Sequence, residues 1–540
     1  MEKFDETLST IQGKPNSVEH MASDPPERPT RATARSLTFW QQRLYEGGLI
    51  LSLLLFYLIG NQQTGLGLFP AAPPLLAFLF LAIFTLLSWF RLSVAITLFP
   101  ITFPFYLPYY QKVIEIGHSK LSFSLAEITL GILFGIAIIQ VLLYKENRNL
   151  ATLRLLWERI KPFLLPTLLF LFAACMSLTT ALQKHYATVD LRKEVLFPLL
   201  YAILALLFLR TRQDLKRLLL ALSGIGLCIA VMGIIQFTFF KETMVREAEG
   251  FRIHTVYGNA NSIGLLLDYT LPLLLAWLFS KKNTWLARLS LLVCCVLMLI
   301  ALYLTQSLGA WLAIGVALLF CGACALPNRR ALLICAIAFG AALALLLLIY
   351  HQALLSYVFE RHNSHIGVGT AEKRIYLWQT AWNMIRDHFW FGVGLDNWLC
   401  HYSRNSICEL PTYHYWILRD PLTGKLTGLS DEPTLSHPHN VFLHVWVSMG
   451  IFGLLAFLGL LVQFFRTFIR GLLAVHKTRD IELRWQLVGV AGAMLAAMTQ
   501  GLIDSAFLEQ DLSYCFWTLI VAMGILFVFA RGRLIQPATA

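Results

Sequence analysis

Ser436-His437-Pro438-His439-Asn440 is followed by VFLHVWVSMGIFGLLAFLGLLVQFF, residues 441–465, and then by Arg466. Between Val441 and Phe465 there is no Asp, Glu, Lys or Arg, and a helix needs roughly 20 predominantly apolar residues to cross a bilayer. The stretch therefore reads as a membrane span with a polar mouth. Working outward, comparable runs lie near 47–60, 71–90, 92–108, 123–144, 163–182, 195–210, 217–239, 261–279, 288–305, 308–326, 332–350, 440–466, 485–505 and 512–530. The first is short and the Pro-rich run 92–108 is prone to breaking, so about 12–14 transmembrane helices are expected. Composition agrees, with 57% hydrophobic and 14% charged residues and a mean hydropathy of +0.64, where soluble domains carry about 25% charged residues. A soluble globular fold is excluded, and the expected class is an all-α polytopic membrane protein.

The short loops carry an orientation. If the N-terminus is inside, the inner loops hold 22 Lys and Arg and the short outer loops eight, the imbalance that sets topology. The expected organisation is a disordered cytosolic tail over 1–46, transmembrane helices over 47–350, one large extracytoplasmic loop over 351–437, C-terminal transmembrane helices over 438–531 and a cytosolic tail over 532–540. The net charge of +12 is spread in short clusters between apolar runs rather than gathered in a patch with aromatics, which argues for topology signals and against a nucleic-acid partner. No inner loop is long enough for a nucleotide-binding domain, and no GxxxxGK[ST] stretch occurs. Eight of the ten cysteines lie in apolar segments, where packing explains them, including the Cys321/Cys324 pair. Cys400 and Cys408 fall in the long loop, where an oxidising exterior permits a disulfide.

Three places break the apolar pattern. In Phe251-Arg252-Ile-His254-Thr-Val-Tyr-Gly258-Asn259-Ala-Asn261 a Gly and two Asn favour a turn into the helix that follows from Ser262. An Arg beside an outward-facing helix N-terminus is suited to anions, and an Asn-capped helix with a snorkelling Arg accounts for the same residues. Around Arg374, the spacing of Ile375, Leu377, Trp378, Ala381, Trp382 and Ile385 describes an amphipathic helix on the membrane surface. A cation at its start opposes the helix dipole and calls for an anionic partner. Gly392-Val-Gly394 lacks the setting of a nucleotide loop. In Ser436–Asn440, His437 and His439 offer metal ligation, proton acceptance or simple capping, but no carboxylate at i+4 spacing completes a metal set.

Taken in order, Arg252 with its GNxN turn, Arg374-x3-Trp378 with Gly392-x-Gly394-x-x-Asn397, His437-Pro-His439-Asn440 leading to Gly450-Ile-Phe-Gly453, and Gly501-Leu-Ile-Asp504 resemble the O-antigen ligase and polymerase family of bacterial membrane glycosyltransferases. The resemblance covers roughly residues 200–530. It implies a GT-C-like helical bundle whose large outer loop contains short helices. It also implies transfer of a glycan from an undecaprenyl-diphosphate carrier to an acceptor sugar hydroxyl, at the outer face of the inner membrane, with no cofactor, metal or nucleotide sugar. By the same resemblance His439 is the general base, Arg252 and Arg374 bind the diphosphate, and Asn259, Asn261, His437 and Asp504 belong to the substrate site. One departure stands out, since the family often has Ser-Arg-Gly at a helical hairpin where Ser307-Leu308-Gly309 has Leu308.

The partners implied are the lipid-linked donor, a glycan or glycolipid acceptor and the bilayer. The alternative within the family is a polymerase that extends a repeat-unit chain. A different class is a small-anion, bicarbonate-like transporter, for which Asp268 within the span 261–279 is the residue of interest. The orientation is testable. Single cysteines placed in 355–435 should react with a membrane-impermeant thiol reagent in intact cells while cysteines in the tail stay protected, and the reverse pattern would overturn the topology.

Overall fold

The structure, a computed structural model, describes residues 39–60, 74–106, 112–116, 119–247, 250–257, 259–280, 283–325, 370–402, 417–419, 426–429 and 436–532. The chain divides into two units, Met1–Gly47 and Gly48–Ala540. In the first, only the opening turns of α1 (Phe39–Gly60) are described, where Arg43 pairs with Glu46. Then follow α2 (Pro74–Phe90), α3 (Leu92–Leu98), α4 (Leu125–Leu143), α5 (Leu150–Ile160), α6 (Leu164–Thr180), α7 (Lys184–Asp190), α8 (Phe197–Phe208), α9 (Arg212–Phe239), α10 (Ala260–Leu278), α11 (Trp285–Thr305) and α12 (Leu308–Ala325). After the long loop begins come α13 (Thr370–Asp387) and α14 (Trp398–Tyr402), then α15 (Val441–Thr478), α16 (Ile481–Gln500) and α17 (Gln510–Ala530). Three antiparallel two-stranded pairs are the only sheet among the described residues, including Val245–Glu247 with Gly250–Arg252.

The protein is thus all-α and polytopic. Among the described residues nine helices are long and apolar enough to cross a membrane, or ten if the bent pair α5 and α6 counts as one span. The expected span 92–108 breaks, because α3 gives way to a 3-10 stretch, Phe99–Tyr106, that carries Pro104. The expected span 332–350 lies outside the described residues. Helix starts follow local chemistry: Ser124 with Glu127 and Thr211 with Asp214 form capping boxes, and Asn259, Thr284, Asn440 and Asp480 cap with their side chains.

Packing puts α17 in the middle, with every residue from Gln510 to Ala530 buried. Around it α10, α15 and α16 approach closely at small residues, as membrane helices do when lipid offers no hydrophobic drive to associate. Gly489 lies on Ala276 and Leu273 of α10, and Gly471 on Leu487. At the end of the bundle where α15 finishes, several basic residues of the short loops and helix ends tie helix ends together. Buried Arg159 donates to the carbonyls of Leu206 and Leu209 at 2.6 and 2.7 Å, Arg484 donates to the Cys324 carbonyl, and Arg212 pairs with Asp480. Each satisfies carbonyls that a helix C-terminus leaves open or links neighbouring helices.

At the opposite end, α15 is interrupted at Gly450, whose φ of +68° is non-helical. The segment 389–394 docks into this break: Val393 N donates to Val447 O at 2.7 Å, Gly394 N to Ser448 O at 3.2 Å and Ile451 N to Phe389 O at 2.9 Å. Asn397 continues the docking, accepting from Gln183 N at 2.8 Å. The sequence reading laid the helix around Arg374 on the membrane surface with Arg374 at its start. Instead α13 begins at Thr370, and Leu377, Ala381, Met384 and Ile385 are buried with Val393, Trp398, Tyr402 and Val447. Leu377, Ala381 and Ile385 of the announced apolar face are covered by α15 and the docked loop, while Ile375 and Trp382 remain about half exposed.

A Cβ on Gly450 would collide with the Trp390 carbonyl. Gly450→Ala should therefore cost at least about 1–3 kcal/mol from the forced positive φ, with the collision added, and lower the melting temperature in detergent. Gly315→Ala, whose Cβ meets nothing within 4 Å, should leave it unchanged. Equal melting of the two variants would show that the break is unconstrained.

Candidate functional site

The mouth of α15 is stitched to the turn after α16. Asn440 accepts from Phe442 N and Leu443 N, both at 3.0 Å, and donates to Leu502 O at 2.9 Å, while Val441 N donates to Gly501 O at 2.7 Å. These bonds fix the residue just before the cap. His439 has φ +49°, a left-handed backbone that a non-Gly residue holds only when its surroundings enforce it. Its N–H donates to His437 Nδ1 at 3.3 Å, and its carbonyl accepts from Trp378 Nε1 at 3.4 Å. Its own Nδ1 lies 2.8 Å from Asp504 Oδ1, an oxygen that also accepts from Ser505 N.

Electrostatics settle the proton on this pair. Burial would raise the Asp504 carboxyl, but the charge and hydrogen bond of His439, with the charges of His437 and Arg374, outweigh it and hold Asp504 down at about 2. An ionised carboxylate only accepts, so Nδ1 of His439 carries a hydrogen toward it and Nε2 is the ring nitrogen left outside the pair. Burial also holds His437 well below the ordinary imidazole range, with His439 and His444 pushing the same way. Glu509, at 3.7 Å from His437 Nε2, is pushed well above the carboxylate range by burial and by Asp511 and Asp504. His444 bonds Ser505 Oγ at 2.7 Å.

Arg374 comes to the same place through α13. It sits one helical turn before Trp378, so the R-x3-W spacing places both on one face, and its charge acts on Asp504 and on His437. Arg252 is held nearly buried from another side. Its Nε donates to Thr305 O and its Nη2 to Asn261 Oδ1, both at 2.7 Å. The hairpin that supplies Thr305 turns through Gln306 at φ +52°, and its Gly309 lies against Ile503 and Gln500, beside Asp504. Two arginines and the His439 cluster thus flank the turn 500–505. Asn261 orients Arg252, whereas the Asn259 side chain is spent accepting from Asn261 N as a cap. Leu308 lies exposed in the hairpin.

The metal reading needs one correction. No carboxylate follows the histidines in sequence, yet Asp504 arrives from 65 positions away, and one ligand atom each from His437, His439 and Asp504 can be chosen within 4.8 Å of one another. Two nitrogens and an oxygen fit a borderline cation, but each of the three is already engaged in a hydrogen bond within the cluster. Sequence reasoning placed Asp504 in the site without pairing it with His439, and it overlooked Glu509. Helix parity was the available signal, since α16 ends and α17 begins at the end where α15 starts. Cys400 is disulfide-bonded, and Cys408 lies outside the described residues. Asp268 is fully buried, and neither of its carboxyl oxygens accepts a hydrogen bond among the described residues.

Residues 293–458 match the family model described as O-antigen ligase. The matched stretch contains Arg374, His437 and His439, while Arg252 and Asp504 flank it on either side. No curated protein matches the chain. The match places the function in the ligase and polymerase class of glycosyltransferase-like enzymes and gives the transport alternative no support. Residues 293–458 are thus an O-antigen ligase-like domain, set among the apolar helices of a bacterial membrane protein.

Proposed function

We propose that the protein transfers a glycan from an undecaprenyl-diphosphate carrier to a sugar hydroxyl of a glycan or glycolipid acceptor, with His439 as general base, at the outer face of the bacterial inner membrane. The observation that carries the proposal is the 2.8 Å contact between His439 Nδ1 and the ionised Asp504 at the mouth of α15. Asp504 fixes the tautomer, so Nε2 of His439 takes the proton of the acceptor hydroxyl. The alcohol oxygen bonds to the sugar carbon that carries the diphosphate. The bond from that carbon to the phosphate oxygen breaks, and its electron pair leaves with the carrier diphosphate. Arg374 and Arg252 receive that charge through the paired donors of their guanidinium groups. Their approach from two elements, α13 and the strand Gly250–Arg252, suits a group with two phosphates. The outward orientation is supported by the Lys and Arg imbalance.

His439→Ala should lower transfer by about 10²–10⁴-fold, the usual worth of a positioned base, in a purified assay with lipid-linked donor, while donor binding persists. A rate within about threefold of the parent would falsify the assignment. Asp504→Asn keeps the shape and removes the ionised acceptor, so it should also slow transfer by at least about tenfold. Because Asp504 stays ionised down to about pH 2, transfer should not fall with its protonation anywhere above that pH. An acid loss that tracks a carboxylate near pH 4 would instead show that Asp504 is not held down by the pair.

Arg374→Lys and Arg252→Lys should be nearly as harmful as the alanine variants, because a point ammonium cannot reproduce paired bonds to phosphate oxygens. Full transfer by either Arg→Ala variant, with the protein folded in the membrane, would mark that arginine as structural.

A further inference from the structure

At the end of the bundle away from His439, the last turns of α15 and the end of α17 border two adjoining depressions that share Arg470. One, of about 600 Å³, is lined by Arg470, Lys477 and Arg531 around Leu473. The other, of about 640 Å³, is lined by Val462, Phe465 and Ile469, with Arg466 and Arg470 at its rim. No carboxylate lines either one. Arg466, Arg470 and Lys477 recur at i, i+4 and i+11, which is one face of α15. Val462, Ile469 and Leu473 stand on the same side and are 63%, 55% and 63% exposed. Basic heads and apolar surface alternate along a helix that leaves the bilayer here.

A simpler account has the cations neutralise helix C-termini. Each terminus carries about half a negative charge, so those of α15 and α17 amount to about one, against the three cations of the first depression. Roughly two positive charges remain. Arg531 stacks over the Phe527 ring at 4.5 Å, which uses its face and leaves its edge donors available for an anion. The ligand that fits joins a compact anion to an apolar chain, because the cationic and apolar depressions adjoin at Arg470.

We propose that this groove binds an anionic phospholipid of the leaflet at this end. Its phosphate lies among Arg470, Lys477 and Arg531, and an acyl chain follows Val462, Phe465 and Ile469. Basic pockets at the membrane interface between helices recognise such head groups, and each Lys or Arg adds about a factor of five in affinity. The site is remote from His439 and does not depend on the proposed transfer reaction.

The test is thermal unfolding of the purified full-length protein in neutral detergent, titrated with phosphatidylglycerol, phosphatidylcholine or inorganic phosphate. Phosphatidylglycerol should raise the melting temperature of the parent and of a control with the same charge change, Lys145→Ala/Arg148→Ala/Arg154→Ala. The groove variant Arg470→Ala/Lys477→Ala/Arg531→Ala should need about 100-fold more lipid for the same shift. If the triple variant does not fold, the single Arg470→Gln variant should need about fivefold more. Equal responses of parent and groove variants, or equal shifts from phosphatidylcholine, would overturn the proposal. An equal shift from inorganic phosphate would also overturn it, by showing an anion site with no lipid selectivity.

Discussion

Inside a bilayer, a helix that breaks must find partners for the backbone groups it releases, since there is no water to take them. At Gly450 the carbonyls of Val447 and Ser448 are released from α15, and the N–H groups of Val393 and Gly394 take them. That exchange makes the long loop part of the bundle. It presses α13 against α15, so that Trp378 reaches the His439 carbonyl and Arg374 reaches the neighbourhood of Asp504. A continuous helix would offer the loop no backbone to hold, and the arginine of α13 would lose its fixed relation to the imidazole.

The same reasoning explains why glycines sit where they do. Gly392, at φ +72°, passes so close to the Val447 carbonyl that any side chain would displace one of the two backbones. The Gly392-x-Gly394-x-x-Asn397 pattern is therefore a docking element, in which Asn397 closes the far side on Gln183. Its likeness to a phosphate loop ends at composition, because its donors are used on carbonyls.

Much of this was legible in the sequence, and the limits have physical causes. Apolar runs and caps announce helices because both are local, and Asn440 and Asn259 perform as their positions suggest. His439 stood out by its Pro and Asn neighbours. Its link to Asp504 did not, since 65 residues and two helices separate them and only the folded bundle closes the gap. Arg252 and Asn261 were found together, but their shared task with the Thr305 carbonyl depends on a hairpin that has no signature of its own. The helix around Arg374 was read correctly in periodicity, but its stripe is divided, with Leu377, Ala381 and Ile385 covered by protein and Ile375 and Trp382 exposed, because an apolar stripe does not say what will cover it.

The complete burial of α17 bears on how the molecule is made. Membrane helices enter the bilayer in the order of synthesis, and the helix at the centre of this bundle comes after all those described that surround it. Until it inserts, the faces of α10, α15 and α16 that it covers have only lipid or one another to pack against. The ribosome therefore delivers the keystone after the arch, and a chain stalled before Gln510 leaves those faces uncovered.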